Sequence, residues 1–215
     1  MRGVVPFSIE ELDGFNVNKD GEPEAIWQPL YHYQTYAAAG FTQPMLFFQA
    51  QIGQPGVTLE DTNLRTAGRM PTPKNFAAIG IEVFFRPGNV PGPVEGAAVV
   101  SRNWNDVNAV HGSRMSLSLR IGDKTYLEEA PLGVMPMQFR VDGAAALAGT
   151  FAAGESQVID YAAFCGPPYL LVPMRFIANQ EFSVTINSPA AVPLPSGVDG
   201  RIGVRLNGIQ YRLAQ

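Results

Sequence analysis

The chain has 215 residues, with 15 Lys and Arg against 19 Asp and Glu, giving a formal net charge of −4, and only 16% of its residues are charged, well below the roughly 25% of ordinary soluble domains. Hydrophobic residues make up 46%, among them 13 Phe, 7 Tyr and 2 Trp, which is enough to build a core and excludes a disordered tail. A slightly acidic chain without a Lys/Arg cluster does not suit tight nucleic-acid binding, and its single cysteine excludes an intrachain disulfide scaffold.

The 22 Gly and 18 Pro are scattered as punctuation, as expected for many short strands separated by turns. The segment 1–24 carries turn signals at Asp13-Gly14 and around Gly21 and reads as an arm or irregular lead-in, with 25–215 as one domain. It lacks the basic start and continuous apolar core of a signal peptide, so the expectation is a protein made and folded in the cytoplasm. The uncharged stretch 25–59 is interrupted by Pro29, Pro44 and Pro55 and does not read as a membrane span.

Period-two alternation predicts strands over 27–37, where Tyr31, Tyr33 and Thr35 alternate with His32 and Gln34, and over 44–52. Residues 60–73 read as a polar loop. Along 75–86 the set Phe76, Ala78, Gly80, Glu82, Phe84 opposes Ala77, Ile79, Ile81, Val83, Phe85, so both faces are largely apolar and the strand is expected at the centre of a sheet. A short helix is predicted over 101–111, capped by Ser101, with Trp104, Val107 and Val110 on one side. Strands follow over 114–121 and 124–130, joined by a Gly122-Asp123 hairpin turn, while 132–154 is weakly patterned and Ala-rich. The segments 170–178, 181–188 and 202–213 complete the set, with a second hairpin signal at Asn207-Gly208. The expected fold is all-β: an eight-stranded antiparallel β-sandwich, a single jelly roll, with at most one or two short helices in loops.

Candidate chemistry is sparse. His32, His111 and Cys165 are separated in sequence, whereas a zinc or iron site needs three or four such ligands, so His32 is expected to pack or hydrogen-bond. Glu60, Asp61 and Asn63 offer oxygens to a cation but lack a calcium-loop spacing, and read first as a solvated loop with a turn or capping acid. Cys165 sits among apolar residues with nothing nearby to activate it. Glu128 and Glu129 are adjacent on a strand and are expected on opposite faces, unlike a glycosidase pair. Glu82 is expected to pair with an arginine such as Arg120 or Arg175. No nucleophile elbow or phosphate-binding loop occurs, so neither an enzyme nor a cofactor is expected.

What remains is a polar, weakly charged surface with Pro-rich loops, suited to burial against neighbours rather than to a free monomer. The runs 53–63, 70–76 and 79–83, the hairpin 119–131 and the closing strand 203–211 resemble the single-jelly-roll capsid proteins of tailless icosahedral bacteriophages, in which β-sandwiches associate into capsomers. The resemblance implies a structural virion protein whose partners are copies of itself and other capsid proteins. The lead-in holds Arg2 and Lys19 against Glu10, Glu11, Asp13, Asp20, Glu22 and Glu24, so such a shell is expected not to grip a genome itself but to enclose an internal membrane or inner protein layer. The alternative is a trimeric receptor- or glycan-binding sandwich of a spike or fibre that uses Trp27, Tyr31, Tyr33 or Trp104 as stacking platforms.

Overall fold

The computed structural model describes residues 25–91, 100–102, 104–135, 137–144, 159–164 and 168–212. The expected arm, Cys165 and residues 145–154 of the Ala-rich window lie outside these residues. The strands are β1 (Ala25–Trp27), β2 (Leu30–Tyr36), β3 (Met45–Phe47), β4 (Lys74–Arg86), β5 (Asn89–Pro91), β6 (Val100–Arg102), β7 (Ser116–Ile121), β8 (Lys124–Pro131), β9 (Met137–Ala144), β10 (Ile159–Phe164), β11 (Tyr169–Phe176), β12 (Phe182–Asn187) and β13 (Gly200–Arg212), with one helix, α1 (Trp104–His111).

These form a seven-stranded sheet, a four-stranded sheet in the order β3-β12-β7-β8, and a small β5-β6 ribbon. The large sheet is organised by two long neighbours, β4 and β13, each of 13 residues. One half of β13 pairs with β2 and the other half with β1, so these two short strands lie end to end along it. On its other side β4 pairs with β11 over one half and with β9 over the other, and β10 follows β9.

The all-β expectation holds, but thirteen strands replace the expected eight among the described residues, and β9 runs parallel to β4. The first predicted strand divides at Gln28-Pro29, where β1 gives way to β2. The second ends at Phe47 because Phe48 takes a left-handed backbone, φ 65°, which turns both Phe47 and Phe48 into the core. Ser101 belongs to β6, opposite Val90, and does not cap the helix. Val107 and Val110 are buried, as the helical spacing requires. The Gly122-Asp123 turn joins β7 and β8 with Ile121 opposite Lys124, and Gly122 supplies the positive φ of 56° that the tight hairpin demands.

The sheets pack face to face around one core. Leu117, Leu119, Ile121, Phe182, Val184 and Ile186 from the smaller sheet meet Val83, Phe85, Ile202, Val204 and Leu206 from the larger. Phe176 crosses to Phe182, with ring centroids 4.8 Å apart and nearly perpendicular. The apparent two-sided apolarity of β4 has a geometric origin. A register shift opposite Asn207/Gly208 changes its phase, so Phe76 and Ala78 face the main core from one half and Ile81, Val83 and Phe85 from the other. Ala77 falls on the opposite face, in a smaller buried cluster with Ile209 and Tyr211. A bulge of one residue exchanges the faces of everything beyond it. The extra residue is Ile79 on β4, and Asn207-Gly208 lies opposite it within a continuous strand and forms no hairpin, since β13 continues to Arg212.

Candidate functional site

His32 lies on β2, 3% exposed, and its Nδ1 accepts a hydrogen bond from the Phe48 N–H at 2.5 Å. The imidazole thereby serves the backbone at the point where β3 turns out of strand geometry. Burial pushes its pKa down to about 4 against the opposing charge of Asp61. The unfolded chain therefore takes up this proton near the ordinary imidazole value of 6.5 while the folded chain resists to about 4, so the contribution is complete above that window and lost as pH falls through it. A shift of this size corresponds to about 3 kcal/mol. Urea unfolding of the wild type and of His32→Gln, which keeps an acceptor that does not titrate, is expected to show this much extra acid sensitivity in the wild type; parallel pH profiles contradict it.

The loop 58–64 covers the outer edge of β2. Tyr33 N–H donates to the Asp61 carbonyl at 2.7 Å, Tyr31 N–H donates to Asn63 Oδ1 at 3.1 Å, and Asn63 Nδ2 donates to the Pro29 carbonyl at 2.7 Å. The loop thus satisfies strand groups that an open edge would leave exposed. Asp61 accepts from Thr58 N–H at 2.8 Å and Thr58 Oγ1 at 2.9 Å, and pairs with Arg201. Burial raises the Asp61 pKa, but the two Thr58 hydrogen bonds and the Arg201 charge outweigh it and hold the carboxyl below its usual range. Glu60 is exposed and reaches Arg201 only at 3.9 Å. The trio offered for a cation is therefore spent on an arginine and on backbone groups.

Glu82, 3% exposed, sits on the face of the large sheet turned away from the main core. Its partner is Arg205, opposite it on β13, and neither Arg120 nor Arg175. Asn207 Nδ2 donates to Glu82 Oε1 at 2.7 Å, and the Arg205 guanidinium stacks 4.6 Å from the Phe84 ring centroid. Arg120 instead serves its own hairpin, donating to the Gly122 carbonyl at 2.9 Å and lying 3.5 Å from Asp123. This arrangement closes an ion pair under aromatic cover.

The outward face of the four-stranded sheet forms an open concavity of about 630 Å³, floored by Ser118, Ser183, Thr185 and Asn187 and walled by Glu128 and Glu129. The two glutamates share this concavity, contrary to strand alternation. The β7–β8 pairing contains register shifts and Glu129 adopts φ 43°, so the alternation fails between them. Periodicity alone contains no signal for that bulge.

Exposed large apolar side chains gather on the edge strands of the large sheet: Ile26 and Trp27 on β1, Tyr169, Leu170 and Val172 on β11. Tyr31 and Tyr33 are half-buried, with Tyr31 Oη donating to the Leu59 carbonyl at 2.6 Å, and Trp104 opens α1. Among the described residues no group of three or more His, Cys, Asp or Glu side chains is placed to hold a metal ion, and no helix is long and apolar enough to cross a membrane. No family model, curated protein or solved structure matches the chain.

Proposed function

We propose that this chain is a structural virion protein: a capsid subunit whose β-sandwich, read as a single jelly roll extended by β9 and β10, assembles through its flanks and loops into an icosahedral shell. Its partners on this reading are copies of itself and other capsid proteins. The acidic segment 1–24 favours a membrane or an inner protein layer between shell and genome, because like charge disfavours direct contact with phosphates.

The observation that carries the reading is the state of the large sheet's edges. Proteins that remain free in solution blunt edge strands with charge, proline or bulges. Here β11 has Pro173 near its middle and a register shift between Leu170 and Met174, yet Leu170 is 68% and Val172 81% exposed, while Ile26 is 56% and Trp27 62% exposed on β1. Such apolar edges on a weakly charged subunit are suited to burial against neighbours.

Electron microscopy and light scattering of the purified full chain test this. Closed shells, or pentameric or hexameric rings, are the expected result. A discrete trimer that binds on a glycan array overturns it in favour of the spike or fibre reading, which the exposed Trp27 and the hydroxyl-lined concavity also suit.

A further inference from the structure

The two flanks of the sandwich differ in charge, and we infer that they dock on each other: the Arg65/Lys74 flank of one copy seats against the Glu128/Glu129 flank of the next. This rests on the reading of the chain as a shell subunit and names the interface that would join neighbours.

One flank is formed where β2 and β3 come together, with the His32 ring 5.8 Å from that of Phe47. Beside it, a cavity of about 280 Å³ opens under the loop that follows β3. Buried Leu30, Leu64 and Met70 line its apolar part. Arg65 and Lys74 are exposed at its rim, and Leu59 projects there with 64% exposure. The other flank is β8, the last strand of the four-stranded sheet on the side away from β3. Glu128 and Glu129 are exposed on it, and the neighbouring Tyr126 is 51% exposed. Each flank therefore offers two like charges beside a large apolar side chain, the combination of anchor and charged rim that protein interfaces use.

None of these four charges has an ionic partner among the described residues, whereas Arg69, Arg120, Arg201 and Arg205 close pairs with Glu181, Asp123, Asp61 and Glu82 within the chain. Lys124 lies at the hairpin end of β8, beside Asp123, and Glu60 lies near Arg201. Arg120 lines the same concavity as the two glutamates, but its guanidinium is held by Asp123 and the Gly122 carbonyl, so none of these three charges neutralises the local pair. The bulge at Glu129 turns both carboxylates toward one concavity, so that two negative charges face a neighbour together.

Because the two patches occupy different flanks, a two-fold contact of either patch with itself brings like charges together, which association disfavours. The contact that joins opposite charges is heterologous. It leaves one flank of each kind free at the ends of a chain of subunits and closes into a ring when the rotation between neighbours permits.

The test uses the full chain in two double variants, Glu128→Lys/Glu129→Lys and Arg65→Glu/Lys74→Glu, followed by sedimentation velocity at low salt. Each variant alone presents like-charged flanks and is expected to associate at least about tenfold more weakly than wild type. An equimolar mixture is expected to recover assembly, because the two variants then alternate. All four positions are exposed, and unchanged circular dichroism spectra verify that the variants fold. Wild-type-like assembly of either variant, or a mixture that does not recover, overturns the flank pairing while leaving the capsid reading in place if wild-type shells form. A wild-type chain that forms no oligomer overturns both.

Discussion

Gly208→Ala is expected to cost about 3 kcal/mol of folding stability, the upper part of the range for inserting a methyl group into a packed interior. A Cβ at this position would lie 2.1 Å from the Ala77 carbonyl oxygen and 2.7 Å from Cζ of Phe76. The first of these atoms is backbone within the β4–β13 pairing and cannot rotate away. Relief requires the two longest strands to separate at the bulge, where β4 changes the face it presents to the core. The loss should therefore extend beyond the mutated residue. Urea unfolding reports the free energy, and amide exchange along β4 and β13 reports whether the damage spreads from the bulge. A midpoint equal to wild type shows that the bulge relaxes without cost and refutes the close-packing argument.

Arg205→Met is expected to destabilise the fold by about 3 kcal/mol, because removing one partner leaves the other charge buried without compensation. Glu82 is 3% exposed and keeps only the Asn207 hydrogen bond once the guanidinium is gone. Replacing both members, as in Glu82→Leu/Arg205→Met, is expected to recover most of that loss, since a buried pair exchanged for apolar residues of similar volume is often neutral or stabilising. Thermal and urea denaturation of the two single variants and the double variant form a double-mutant cycle. Additive losses, with no recovery in the double variant, show that the pair does not act as a unit and contradict the prediction.

The parts of the fold legible from sequence are those set by local alternation. Phe182, Val184 and Ile186 are buried at every second position of β12, as alternation along 181–188 requires, and the hairpin at Gly122-Asp123 closes with the expected two-residue turn. β9 carried a readable signal that was obscured by its Ala- and Gly-rich surroundings: Met137, Phe139 and Val141 alternate with Gln138, Arg140 and Asp142. Its parallel pairing with β4 had no such signal, because the connection between them is long and the periodicity of a strand does not specify its neighbour. The ribbon of β5 and β6 has no signal in the sequence, because three-residue strands are too short to show alternation. The candidate residues divide in the same way. His32 was legible as a packing residue from its isolation on an alternating strand, but its acceptor role depends on Phe48, 16 residues away.

By itself the sequence determined the all-β class, through period-two patterns, and a surface poor in charge, through composition. Tertiary structure alone decided that Glu82 meets Arg205, that Glu128 and Glu129 share a concavity, and that unpaired charges of opposite sign stand on different flanks. The reason is physical. Alternation is a property of one strand, whereas partners and faces depend on register between distant strands, and each one-residue bulge inverts the face that a local pattern would assign.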